Sequence, residues 1–410
     1  MKAIEILDSR GRPTIQATCV LSSGVQGTGS IPSGASTGRA EAVELRDGDP
    51  RRYRGLGCLK AVEHVNTSIH AAVSGQSFDT QLAFDHMLID LDGSDNKRNL
   101  GANTILAASI AFARTCAAEQ CIPLYQYFAS MLDNPTLSLP RLTINLFSGG
   151  KHAGEQVSIQ DVLLVPRSAT TIDQALTMTY AVYQAAAELV TEKYGMRLLT
   201  ADEGGLAPPF PNDETILHDA VLAIERSGYR LGEDMALAID VASSHFFRDG
   251  RYHLGGSHLT GQQMIAQLEQ WVTKYPLVSV EDGLAEEDWT HWSELKRTLP
   301  EAVLCLGDDL LCTNPDRIHK AIAANAANAL LLKVNQIGTF TEAAQAYQVA
   351  RSAGWQIVVS ARSGETEDNW LADLAVGWGG DYIKVGSITQ SDRLAKYNRL
   401  LTIEHELRPG

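Results

Sequence analysis

Residues 303–335 read VLCLGDDLLCTNPDRIHKAIAANAANALLLKVN, and this stretch decides the fold. An apolar run stops at two acids, Asp308 and Asp309, an amphipathic helical pattern follows, and a second apolar run stops at Lys333. Strands without polar alternation, separated by helices, belong to a parallel sheet buried on both faces. The unit recurs on either side, in LTINLF, SIQDVLLV, MRLLTADE, ALAID, LVSVED, QIVVSAR and DYIKVGS, all beyond about residue 140. Seven or more such runs over about 270 residues predict a closed β/α barrel rather than an open sheet.

The first third is organised differently. Alternation in TIQATCV (14–20) predicts a strand, with 23–31 as its hairpin partner, and PSGASTG (32–38) is too small and polar to pack. Helical patterns follow at about 57–73, 80–90 and 102–119, the last with Asn103 placed to cap it. The chain therefore reads as α/β, with an N-terminal α+β domain over 1–130 and a barrel over 131–410. No Pro/Ser-rich linker separates the two, so they are expected to pack directly.

A net charge of −15 repels phosphate backbones, and no basic run opposes it, which argues against nucleic acid as a partner. The six cysteines show no CxxC pair and read as reduced thiols. No apolar run approaches the ~18 residues of a membrane helix, and the start lacks a signal-peptide core. A cytoplasmic protein is expected.

In a parallel barrel the C-terminal strand ends converge on one mouth. By this count they carry Asp161, Glu203, Asp240, Glu281, Asp308, Lys333, Arg362 and Lys384. A single acid after a strand is usually a helix cap. Three on consecutive strands, Asp240, Glu281 and Asp308, would repel one another unless a cation sits among them. Oxygen ligands without Cys or His suit Mg²⁺. Spacing does not choose between Asp308 and Asp309, or between Glu281 and Asp282. Lys333 fits a structural ion pair or, alternatively, a base whose pKa is lowered by desolvation and a nearby cation. Lys384, Arg362 and Ser363 suit a carboxylate and a phosphate. Together these are the parts needed to enolise a carboxylic acid.

The motifs DSRGRPT (8–14), PSGASTG (32–38), GANTILAASIA (101–111), TADEGGLAP (200–208), SVEDGL (279–284), GDDLLCTN (307–314), LLLKVNQIGT (330–339), ARSGETED (361–368) and IKVGS (383–387) occur in order. Through them the chain resembles the enolase family over nearly its whole length. The resemblance implies a modified eight-fold β/α (TIM-like) barrel with an α+β cap, a homodimer or higher homo-oligomer, and two Mg²⁺ per active site. It implies that Asp240, Glu281 and Asp308 hold the first Mg²⁺ and that Ser36 reaches the second. Lys333 would take the C2 proton of a small phosphorylated acid, and Glu203 with Asp161 would attend C3. Lys384 would contact the carboxylate, Arg362 and Ser363 the phosphate, His152 would belong to a closing loop, and Gln160 would lie on the metal side.

Two positions depart from the family pattern. Ala361 stands where enolases carry a histidine, and Asp161 where they carry a glutamate. Both fall on the side that expels the C3 hydroxyl. The pattern resembles a specialised paralogue of the carboxyphosphonoenolpyruvate synthase kind, from phosphonate biosynthesis, with a second, phosphonate substrate. The alternatives are an ordinary enolase converting 2-phosphoglycerate to phosphoenolpyruvate, and a non-catalytic binding protein. Gln16 replaces a glutamate near the family's subunit contact, and GGSHL (255–259) reads as a shortened loop.

Overall fold

A computed structural model describes residues 1–34, 38–133, 136–195 and 197–408. Strands β1 (Lys2–Leu7), β2 (Pro13–Val20) and β3 (Gln26–Ser30) form an antiparallel sheet in that order. Alternation in β2 turns Ile15, Ala17 and Cys19 inward, and helix Ala102–Glu119 packs across β2 and β3. The approach is close because β3 carries glycine: a Cβ on Gly29 would sit 2.1 Å from Ile110 Cγ2.

Three details differ from the sequence reading. It places no strand at β1, an edge strand whose Ile4 and Leu7 stay exposed. Asn103 does not cap the long helix: Gly101 is the cap residue, and the Asn103 amide both accepts from Leu45 N (2.9 Å) and donates to Leu45 O (3.0 Å). The helix expected at 57–73 forms with a wider turn inside it, at Val65–Ile69.

The remaining chain closes an eight-stranded barrel. Its strands are β4 (Arg141–Ser148), β5 (Asp161–Pro166), β6 (Met235–Asp240), β10 (Leu277–Glu281), β11 (Leu304–Gly307), β12 (Ala329–Leu332), β13 (Gln356–Ser360) and β14 (Tyr382–Gly386), with a small sheet of β7 (Phe247–Arg248), β8 (Arg251–Leu254) and β9 (Ser257–Leu259) outside it. The GGSHL segment turns between β8 and β9 through Gly255 and Gly256 alone, both at positive φ, as two-residue hairpins require.

The sheet is not wholly parallel, correcting that expectation: β5 runs antiparallel to both β4 and β6. Two helices, Ile172–Tyr194 and Asp213–Arg226, then intervene before β6. Between them lies the run MRLLTADE, whose described residues form no barrel strand. Leu198 and Leu199 are exposed, and pairing is limited to an isolated bridge at Thr200. With eight other strands already closing the barrel, this run finds no place in the sheet.

The N-terminal layer packs directly on the barrel. Ser33 and Gly364 exchange backbone hydrogen bonds of 2.8 and 3.0 Å. The fully buried Asp85 accepts hydrogen bonds from Gln81, from Ser109 and, across the junction, from the Thr341 amide and hydroxyl. Among the described residues no helix is long and apolar enough to cross a membrane.

Candidate active site

Because β6 and β10 to β14 run parallel, their C-terminal ends bring Asp240, Glu281, Asp308, Lys333, Arg362 and Lys384 to one mouth. Asp161 joins them for the opposite reason. It is the first residue of the reversed strand β5, and it pairs in register with Asp240. Glu203 comes from the turn after Thr200, not from a strand end. Gly204 at φ +86° sharpens that turn, and a Cβ there would lie 2.5 Å from Thr389 Oγ1. The Glu203 carbonyl accepts from the Ser387 amide at 2.8 Å.

The two lysines pack against the three acids, Lys384 buried and Lys333 partly so. Lys384 Nζ lies 2.8 Å from both Glu281 oxygens and 3.0 Å from Asp240 Oδ2. Lys333 Nζ donates to Asp308 Oδ2 at 2.5 Å. Gln160 Nε2 donates to Asp240 Oδ2 (3.1 Å), while its buried Oε1 has no partner. Gln336 Nε2 donates to Asp308 Oδ1 at 2.8 Å. Burial and the neighbouring Asp240 push Glu281 well above the usual carboxylate range, against the pull of Lys384. Asp240 goes the other way: burial would raise it, but Lys384 brings it down to about 2.

Within each acid pair that spacing left open, the two side chains sit in different surroundings. Asp282 accepts the Asp308 and Asp309 amides (2.9 and 2.8 Å), so it braces the turn and leaves Glu281 to the mouth. Asp308 lines the central cleft with Asp240, Glu203, Lys333, Lys384 and Arg362, whose free cavity is about 30 Å³, room for a water or two. Asp309 lies beside Gly38, its carboxyl raised to about 8 by burial and by Asp308. Ligand oxygens of Asp282, Asp308 and Asp309 come within 4.8 Å of one another, as do ligand atoms of His152, Asp161 and Glu203. Asp240, Glu281 and Asp308 do not form such a group among the described residues. Lys384 and Lys333 hold their oxygens instead.

Of the two readings of Lys333, the contact present is that of an ion pair. Burial lowers the Lys333 pKa, but Asp308 and Glu281 together outweigh it and the net shift is upward, so with Asp308 as its partner Lys333 is held as an ammonium.

The opposite wall contains the two departures. Asp161 Oδ1 accepts from Ser148 Oγ at 2.6 Å, and Oδ2 accepts from His152 Nδ1 at 3.0 Å. Burial pulls the imidazole down, yet Asp161, with Glu203 and Asp240 behind it, raises His152 to about 9. Asn145 Nδ2 donates to Glu203 Oε2 at 3.0 Å, and Asn145 Oδ1 is buried without a partner. Burial would raise Glu203, but His152, Arg393, Lys384 and Lys333 together hold it below the usual range. Ala361 lines the cleft as a bare methyl.

On the remaining side Arg362 is buried in a bidentate pair with Glu41 (3.1 and 3.2 Å), and it also donates to Asn335 Oδ1 at 3.0 Å. Arg393 donates to the Arg362 and Ser363 carbonyls, both at 2.6 Å, fixing that turn. Arg10 donates to Ser363 Oγ at 3.0 Å. Ser36 lies outside the described residues.

Asn145, Ser148, Gln336, Arg10 and Glu41 are absent from the sequence reading of the site. Asn145 carried a signal, as a polar residue inside the apolar run LTINLF. Glu41 carried none.

The donor set fits a hard divalent cation. It offers carboxylates and an unpartnered amide oxygen, with more buried negative charge than two lysines relax, as the raised Glu281 and Asp309 indicate.

Compared with protein-family models, residues 1–128 match "Enolase, N-terminal domain" and residues 136–409 match "Enolase, C-terminal TIM barrel domain".

Proposed function

This chain belongs to the enolase family, and from that premise we propose that it is a magnesium-dependent enzyme that removes the C2 proton of 2-phosphoglycerate or a related phospho- or phosphono-acid. In this reading a cap over 1–130 covers a catalytic barrel over 131–410. The observation that carries the proposal is the convergence of Lys333, Lys384 and Glu203 with Asp240 and Asp308 on one cleft, with Glu281 held against Lys384 beside it. Two Mg²⁺ per site, a homodimer and a cytoplasmic setting complete the reading.

Asp240, Glu281 and Asp308 would hold the first magnesium, with Gln160 beside them and Ser36 reaching the second. Bound there, the metal supplies the positive charge that a carboxylate needs to be enolised. With Asp308 turned to the metal, the contact that keeps Lys333 charged would be lost, its ammonium would give up a proton to solvent, and the resulting amine would accept the proton from C2. Lys384 holds the substrate carboxylate, and Arg362 with Ser363 holds the phosphate. For the C3–O bond to break, Glu203 would first have to be protonated against the cations that hold it low, and would then give that proton to the departing hydroxyl, which leaves as water. Asp161 and His152 position that wall of the cleft.

We assign the chain to a specialised paralogue, of the carboxyphosphonoenolpyruvate synthase kind, with a second, phosphonate substrate. Support comes from the acid side. A general acid works best with a pKa raised toward the working pH, whereas cations hold Glu203 low, and Ala361 leaves space where a ring would stand. The ordinary enolase reading has one observation in its favour: Ser148 and His152 hold the shortened Asp161 in a complete hydrogen-bonded setting. Proton exchange at C2, measured beside dehydration, decides between the two.

A further inference from the structure

The cleft holds an internal anion at the position given above to the phosphate. Glu41 belongs to the N-terminal layer, yet its carboxylate faces the terminal nitrogens of Arg362 in a two-point pair, Oε2 to Nη1 at 3.1 Å and Oε1 to Nη2 at 3.2 Å. Both side chains are buried, 3% and 8% exposed. Two parallel N–H···O bonds are also how a guanidinium takes a phosphate or phosphonate. Glu41 is held from other directions as well. Oε1 accepts the Gly38 amide at 3.0 Å, and the Gln336 amide, which also bonds Asp308, approaches it at 3.4 Å.

We propose that Glu41 is a resident competitor for the Arg362 fork, so that a ligand binds only if its oxyanion outbids a buried carboxylate. The inference rests on the reading of Arg362 as the anion holder, and it names what sets the threshold there. A tetrahedral dianion carries twice the charge of Glu41 and displaces it, whereas a monoanion gains too little. The site therefore selects doubly charged phosphate or phosphonate groups over carboxylates of similar size. Displacement also frees the Gly38 amide and Gln336, which links occupancy of the anion site to the Asp308 side of the cleft.

The test is binding of inorganic phosphate to the full chain in magnesium buffer at pH 8, by calorimetry. If the fork is closed nine-tenths of the time, apparent affinity is reduced about ten-fold, so Glu41→Gln should tighten phosphate by about that factor. Glu41→Asp keeps the charge but shortens the reach; it should tighten phosphate too, and it serves if the glutamine variant does not fold. Glu44→Gln removes a nearby charge without touching the fork, so it should have a much smaller effect. Weaker or unchanged binding in the folded Glu41 variants, or an equal gain from Glu44→Gln, overturns the proposal. Arg362→Gln keeps the two failures apart. If it binds phosphate as the parent does, the anion-holder reading itself falls; if it loses phosphate while the Glu41 variants fail to tighten, only the competitor is refuted.

Discussion

The Lys384 ammonium sits 2.8 Å from both carboxylate oxygens of Glu281, where it does part of what a divalent cation would do. Burial pulls the lysine pKa down, yet Asp240 and Glu281 raise it well above its ordinary value. The mouth thus balances its acids with its own lysines.

Magnesium should accordingly be essential. Asp308→Ala removes a proposed metal ligand and the partner of Lys333, and it should lower Mg²⁺ affinity by at least ten-fold while abolishing C2 exchange. Titration of Mg²⁺ followed by calorimetry measures the first effect and proton exchange the second. Full activity after exhaustive chelation would contradict it.

For the base, Lys333→Ala should stop exchange of the C2 proton with solvent deuterium while substrate still binds. An exchange-competent variant would place the base elsewhere, with Lys384 the next candidate.

His152 should stay charged through neutral pH. Its folded pKa of about 9 lies above the ordinary ~6.5, so the pair with Asp161 contributes full stability below ~6.5 and loses it as pH rises through about 9. Histidine ring resonances followed by NMR should show this titration. In Asp161→Asn it should move down by more than one unit, and an unmoved titration would exclude Asp161 as its cause.

Asp85 supplies a test away from the chemistry. Its two oxygens accept from four donors, two of them from Thr341 across the junction. Asparagine would turn an NH₂ toward donors, so Asp85→Asn should cost about 1–3 kcal/mol in chemical denaturation. A neutral result would show that the junction tolerates the mismatch.

How much of this the sequence discloses depends on what pattern can carry. Lys333 and Glu281 are legible because each ends an apolar run, and strand ends of a barrel share a mouth. Strand direction leaves no such trace: DVLLVP reads alike in either sense, so the sequence places Asp161 at the mouth as a C-terminal strand end, whereas it begins a reversed strand. MRLLTADE mimics a strand because four apolar or long residues in a row look alike whether they enter a sheet or cross between helix ends. Asp282 differs from Glu281 in bonding two amides, and Glu41 reaches Arg362 from 321 residues away in the chain. Neither relation is periodic, and only the folded chain displays them.

The decisive measurement is the ratio of two rates on one sample: exchange of the C2 proton of 2-phosphoglycerate with solvent, and its dehydration to phosphoenolpyruvate. Lys333 and its acids are in place, while Ala361 replaces a ring, Asp161 is shorter by about 1.5 Å, one C–C bond, and Glu203 is held low. General acid help is typically worth about 10²–10⁴-fold, so exchange should outpace dehydration by a factor in or below that range. The double variant Ala361→His with Asp161→Glu should close the gap. Dehydration as fast as exchange in the parent chain, at the rate of an ordinary enolase, would contradict the specialised reading and leave a glycolytic enolase that works without the histidine.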